Sequence, residues 1–144
     1  MHKRILAALT LAAAVIATGC GGSSPTTPSS VDQSNVPYSQ TDLVVGTGTT
    51  AFSNSMVHVT YNLWLYSETA TDHKGTFIEG NTNAQFDVSN TIAGWRQGIA
   101  GMKVGGQRRL IVPPALAYGS TGSSNGNIPP NAALVFDIEL VSIP

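Results

Sequence analysis

Apolar and polar side chains alternate along several stretches of the chain, a period of two that is typical of strands with one buried face. The clearest examples cover residues 57–65 and residues 134–140. A shorter run, Gln107–Val112, ends at two prolines, which cannot continue a strand ladder. Leu43–Val45 predicts a fourth strand that leads into a glycine-containing turn at residues 46–48. The pattern therefore predicts a domain built mainly of strands.

One stretch has helical spacing instead, because its apolar side chains recur at intervals of three, four and three residues. Asn90 or Thr91 is a candidate N-cap, and Gly101 or Gly105 a candidate end. Two internal glycines make this helix weak on propensity alone, so packing must hold it. One short helix against antiparallel strands predicts an α+β domain. The apolar positions are Ile92, Trp95, Ile99 and Met102.

The start of the chain has the pattern of an export signal. Lys3 and Arg4 precede an apolar run of about thirteen residues, which is too short to span a bilayer and suits a signal peptide. The run leads to Cys20, the single cysteine of the chain, so no disulfide can form within one molecule. Residues 1–19 resemble a bacterial lipoprotein signal peptide, which implies lipidation of Cys20. An ordinary signal peptide that leaves a free thiol is the alternative.

Composition divides the rest of the chain into two parts. Residues 20–41 are rich in Gly, Ser, Thr and Pro and have no apolar periodicity, so we expect a flexible tether behind the lipidated cysteine. Residues 42–144 number about one hundred, which is enough for one domain with a modest core. The sequence therefore predicts a single folded domain held near a membrane.

Charge argues against a nucleic-acid partner. Removal of residues 1–19 leaves five basic side chains against eight acidic ones, a net charge of about −3. Arg108 and Arg109 are adjacent on a predicted strand and so point to opposite faces. A phosphate-rich partner needs a clustered basic face. We therefore expect no nucleic-acid binding.

Four other candidate sites are weak because their surroundings in the sequence do not fit. Residues 122–126 fit the G-x-S-x-G elbow of hydrolases, but no histidine follows and the flanks are loop. Residues 46–51 fit a dinucleotide fingerprint, but a strand pattern follows where a helix is needed. His58 and His73 lack the spacing of metal ligands, and Asp72 with Glu79 is better explained as solvated surface. We expect no metal and no cofactor.

The stretch 94–140 resembles the C-terminal half of FKBP-type peptidyl-prolyl cis-trans isomerases. The family signatures are GW…G…GMKVGGQRRLIVP, LAYG and IPPNA.LVFDIEL. The resemblance implies the FKBP-like α+β fold, an antiparallel sheet of about five strands wrapped around one short helix. It also implies rotation about X-Pro bonds of exported proteins, binding of macrolides, and a monomer. The lipid on Cys20 would place the enzyme on the outer membrane, facing the periplasm.

The resemblance further implies the residues of an apolar pocket. Trp95 matches the residue on which the prolyl ring rests, and Tyr118 the tyrosine whose hydroxyl reaches a substrate carbonyl. Thr91 and Ile92 match a pair whose backbone groups bind substrate. The implied catalytic residues are Tyr61, Trp95, Tyr118 and Phe136, and the implied substrate-binding residues are Phe77, Phe86, Thr91, Ile92, Ala117 and Ile128.

Two features depart from the family pattern and favour a weaker activity. The segment between Phe86 and Thr91 is about two residues shorter than in the family. The aspartate that would meet the Tyr61 hydroxyl is replaced by Ile78, and Glu79 could substitute only if a bulge shifts the strand by one residue. Without that carboxylate, the alternative function is a weakly active or non-catalytic binding module for proline-containing segments. Ile78→Asp is then expected to raise activity.

Overall fold

The computed structural model describes residues 32–144. The predicted signal peptide, Cys20 and the tether as far as residue 31 lie outside the described residues. The described part forms one five-stranded antiparallel sheet in the order β1-β4-β5-β2-β3, with one helix. The strands are β1 (Ser39–Val44), β2 (Met56–Tyr66), β3 (Lys74–Asp87), β4 (Gln107–Val112) and β5 (Leu134–Ser142), and the helix is α1 (Ala93–Ile99). The predicted α+β fold is confirmed.

The alternation on the central strands separates a core face from an outer face. β5 lies between β4 and β2, and its side chains Leu134, Phe136, Ile138 and Leu140 are buried. On β2, Val57, Val59 and Leu63 are buried on the same face, toward the helix. Burial of such side chains is the main stabilising term of a small domain, worth about 1.5–3 kcal/mol each.

Two glycines let α1 lie close to the sheet. A Cβ at Gly94 would collide with Val112, and one at Gly98 would collide with Leu110. The helix is therefore held by packing, as its weak propensity required. The expected N-caps are wrong, since Ile92 occupies that position without a side-chain hydrogen bond. The Thr91 hydroxyl instead donates to the Val88 carbonyl, in a short 3-10 turn over Val88–Asn90.

The domain begins earlier than the expected residue 42. Gln33 donates from its backbone to the Asn131 carbonyl at 3.1 Å, and its side chain accepts from the Ala133 N–H at 2.8 Å. Val36 is buried, and Tyr38 packs against the core. The expected tether boundary at residue 41 is therefore wrong for the segment from residue 32 onward, because these side chains have partners on the domain.

The side chains of the two adjacent arginines lie on opposite faces of the sheet. Arg108 is only 8% exposed and donates to the Gly98 carbonyl at 2.7 Å and to Asp42 at 2.6 Å. Arg109 lies on the outer face and makes two hydrogen bonds to Asp137. Both side chains therefore act in structural ion pairs.

Candidate functional site

An aromatic cluster fills the space between the sheet and the N-terminal end of α1. The Trp95 ring is 4% exposed and contacts three other rings edge-on, with centroids 5.2 Å away at Tyr61, 5.2 Å at Phe86 and 5.4 Å at Phe136. Such edge-to-face contacts are favourable and keep the rings in fixed positions. The Trp95 indole nitrogen is buried and has no hydrogen-bond partner within residues 32–144, so ring contacts and packing in the apolar core hold this side chain.

A cavity of about 380 Å³ opens over this cluster. Its size suits a small ring with a short stretch of peptide, and its walls are mostly apolar. The sequence-predicted residues that line it are Tyr61, Phe86, Thr91, Ile92, Trp95, Tyr118 and Phe136, together with Leu63, Glu79 and Asn90.

Two hydrogen-bond donors face this cavity without a partner in the described part of the chain. The Tyr118 side chain is 41% exposed, and its hydroxyl makes no hydrogen bond to another described residue. The Ile92 backbone N–H is likewise unused, whereas its carbonyl accepts from Trp95 and Arg96. These groups can bind carbonyl oxygens of a peptide that enters the cavity.

A bulge in β3 brings a carboxylate into the site. Leu63 pairs with Glu79 while the next residue, Trp64, pairs with Phe77, so Ile78 is an extra residue in the ladder. The bulge turns Glu79 toward the cavity, and its Oε1 accepts the Tyr61 hydroxyl at 2.9 Å. Glu79 therefore supplies the carboxylate that Ile78 cannot. One of the two observations that favoured a non-catalytic module is therefore removed, and the shortened segment after Phe86 still leaves Phe86 at the cavity.

The same bulge corrects one predicted site residue. Phe77 is 54% exposed and lies on the outer face, with its ring centroid 5.8 Å from that of Trp64. It does not line the cavity, because the one-residue shift reverses the direction of its side chain.

Two other predicted residues lie behind the cavity lining. Ile128 is buried in the core, and its backbone N–H bonds the Ser123 hydroxyl at 2.9 Å. Ala117 ends a 3-10 turn over Pro114–Leu116 and packs against the core. Both positions therefore support Tyr118 and its loop rather than form the surface of the cavity.

The loop at residues 122–126 does not have the geometry of a hydrolase site. The serine of the G-x-S-x-G motif is Ser124, which is exposed in a turn and makes no hydrogen bond to either histidine of the described residues. Residues 32–144 contain no cluster of three or more side chains that could hold a metal ion.

Comparison with known proteins identifies this arrangement. Residues 48–141 match the FKBP_C family, described as FKBP-type peptidyl-prolyl cis-trans isomerase. This match covers more than half of the chain. The chain belongs to the FKBP-type peptidyl-prolyl cis-trans isomerases. The family and enzyme class expected from the sequence are confirmed.

Individual relatives agree with the family match. Peptidyl-prolyl cis-trans isomerase FKBP16-4, chloroplastic, of Arabidopsis thaliana is 36% identical over 98% of this chain and 68% of its own length. A probable FK506-binding protein of Corynebacterium glutamicum is 42% identical over 70% of this chain and 82% of its own. A crystal structure of a peptidyl-prolyl isomerase from Pseudomonas syringae pv. tomato has a TM-score of 0.64 at 30% identity, covering 81% of this chain and 83% of that one.

The Tyr61 hydroxyl is held in its neutral form. Burial and the hydrogen bond to Glu79 raise its pKa from 10.0 to about 12. Because the folded protein holds this proton more tightly than the unfolded chain, the resulting stabilisation is complete below pH 10 and is lost as pH rises toward 12. We expect Tyr61→Phe to remove the last-ionising component from an ultraviolet titration of the folded protein. If the component persists in Tyr61→Phe, the raised pKa does not belong to Tyr61.

The bulge reverses the expected effect of Ile78→Asp. Ile78 packs against the core, and Glu79 already occupies the position of the carboxylate. We expect Ile78→Asp to lower stability by about 1–3 kcal/mol and to leave kcat/KM no higher than that of the unchanged protein. Urea unfolding and an isomerase assay on the same preparations measure both effects. A clear rise in kcat/KM would show that Glu79 is a poor substitute for the aspartate of the family.

Proposed function

We propose that this isomerase is lipid-anchored at Cys20 and accelerates X-Pro rotation in exported proteins at the bacterial cell envelope. The basic start, the apolar run and the single cysteine of the sequence support export and lipidation. In the described residues, no helix is both long and apolar enough to cross a membrane. A lipid on Cys20, on the outer membrane and facing the periplasm, would keep the domain where exported chains fold.

The aromatic cavity is the observation that carries the catalytic proposal. Rotation about an X-Pro bond must overcome a barrier of about 18–20 kcal/mol, which arises from amide resonance. The twisted amide has less charge separation than the planar one, so an apolar cavity that excludes water favours the twisted form. Trp95 would carry the prolyl ring, with Tyr61, Phe86 and Phe136 around it.

Hydrogen bonds would fix the peptide while the bond turns. The free N–H of Ile92 and the hydroxyl of Tyr118 would bind substrate carbonyls on two sides of the cavity. Burial and the nearby Glu79 raise the pKa of Tyr118, which keeps its hydroxyl able to donate. The remaining predicted contact, Thr91, uses its side chain and its N–H on the Val88 carbonyl and would shape the wall.

The same cavity is proposed to accept a macrolide. The relative from Corynebacterium glutamicum is named as a probable FK506-binding protein. An apolar ring that fills the space over Trp95 would exclude the prolyl substrate. FK506 is therefore expected to inhibit isomerisation competitively.

Anchoring is tested by changing the cysteine. We expect the unchanged protein, expressed in a bacterium, to sediment with membranes and to incorporate labelled fatty acid. Cys20→Ala is expected to abolish the label and to move nearly all of the protein to the soluble fraction, because lipidation needs the sulfur. The same fractionation of Ser24→Ala is the control. A Cys20→Ala protein that still sediments with membranes would contradict the lipid anchor.

A further inference from the structure

The cavity contains a single charge within the described part of the chain. Glu79 is the one residue among the lining side chains that has a carboxylate, ammonium or guanidinium group. It is exposed on β3, which is an edge strand, and no lysine, arginine or histidine of residues 32–144 forms a salt bridge with it. Its Oε1 accepts the Tyr61 hydroxyl, whereas Oε2 makes no hydrogen bond to another described residue.

Neighbouring charges do not cancel this one. Lys74 and Arg109 both pair with Asp137 on the outer face of the sheet. At the other wall, Asp87 accepts from Ser89 and Asn90, while Arg96 donates to the Ser89 carbonyl. Neither Asp87 nor Arg96 lines the cavity, so no positive side chain of the described residues stands beside Glu79 on its wall.

We propose that Glu79 makes the pocket selective for prolyl bonds that have a lysine or arginine next to the proline. The inference rests on the proposed function, in which the prolyl ring occupies the cavity over Trp95. Consecutive Cα atoms are about 3.8 Å apart, so a residue adjacent to that proline lies at the rim of the cavity. A long basic side chain can then lie along the apolar wall and place its charge at the free oxygen of Glu79.

The effect is expected to be moderate and dependent on salt. Exposed ion pairs change an equilibrium by about two- to fivefold, and salt screens them. We therefore expect kcat/KM to be about three- to fivefold higher for a lysine peptide than for the matching acetyl-lysine peptide at low ionic strength. A glutamate peptide is expected to be the poorest substrate.

The test uses the chain that lacks residues 1–19 and carries Cys20→Ser. Its isomerase activity is measured by NMR exchange, which needs no coupling protease. Peptides have lysine, acetyl-lysine or glutamate directly before or directly after the proline. The lysine to acetyl-lysine ratio of kcat/KM is expected to exceed about three at one of the two positions and to fall toward one in high salt. Glu79→Gln should remove the preference, and Glu79→Lys should transfer it to glutamate.

Glu139→Gln is the matched control, because Glu139 lies on β5 between Thr60 and Gln107 on the outer face. The lysine to acetyl-lysine ratio of kcat/KM for Glu139→Gln should equal that of the unchanged protein. A ratio near one at both positions, or a preference that survives Glu79→Gln, would overturn the inference and leave the isomerase intact. Failure to accelerate any of the peptides, acetyl-lysine included, would overturn the proposed function and the inference with it.

Discussion

Replacement of Trp95 by leucine is expected to lower kcat/KM for X-Pro isomerisation by about 10- to 100-fold. Trp95 is the centre of the aromatic cluster and contacts the rings of Tyr61, Phe86 and Phe136. Leucine preserves an apolar side chain but removes the flat surface under the prolyl ring, a loss of about 1.5–3 kcal/mol of transition-state stabilisation. Because Trp95 is also buried, we expect about 2–3 kcal/mol of lost stability, measured by urea unfolding.

The control separates the site from a general loss of aromatic surface. Phe77→Leu changes an aromatic side chain that lies on the outer face beside Trp64. Its activity should equal that of the unchanged protein. Circular dichroism should show that both variants are folded. Equal losses of isomerase activity in Trp95→Leu and Phe77→Leu would then contradict the placement of the site over Trp95.

A second large effect is expected at Gly46, far from the cavity. This buried glycine packs against the segment that leads into β4, where an added Cβ would collide with the Lys103 carbonyl and lie 2.5 Å from the Gly106 nitrogen. These are backbone atoms, which cannot turn aside as a side chain can. We expect Gly46→Ala to lower the free energy of unfolding by about 3 kcal/mol or more, measured by denaturant unfolding.

The neighbouring residue provides the comparison. Thr47 is exposed, and Thr47→Ala should change the free energy of unfolding by about 0.5 kcal/mol or less. Similar stabilities for Gly46→Ala and Thr47→Ala would show that the segment moves to accept a side chain. The expected difference would confirm that Gly46 of the G-x-G-x-x-A motif is needed for close packing of the backbone.

The strands with a buried face could be predicted from their sequence, whereas β3, one of the two edge strands, could not. β2, β4 and β5 alternate regularly because one side of each packs against α1 or its neighbours. β3 carries Gly80, Asn81, Thr82 and Asn83 in a row, and most of its side chains are exposed. An edge strand with bulges has no single buried face, so no period of two remains in its sequence.

The bulges of β3 also limit what the sequence predicts about the site. Trp95, Tyr118 and Phe136 lie next to recognisable motifs, and the structure brings all three to the cavity. Phe77 and Glu79 would share a face in a regular strand, but they lie on opposite faces because Ile78 is bulged, a register detail that depends on pairing with β2. Leu63 belongs to the alternating pattern of residues 57–65, Asn90 is a candidate helix cap, and both also line the cavity. The sequence marks such positions as buried or capping but does not show where a cavity opens.

The most direct test of the account is the isomerisation rate of an X-Pro peptide with the chain that lacks residues 1–19 and carries Cys20→Ser. Exchange measured by NMR should be clearly accelerated by the unchanged pocket, inhibited by FK506, and reduced by about 10- to 100-fold in Trp95→Leu. Absence of acceleration by a well-folded preparation would contradict the central claim that this cavity is a working prolyl isomerase site.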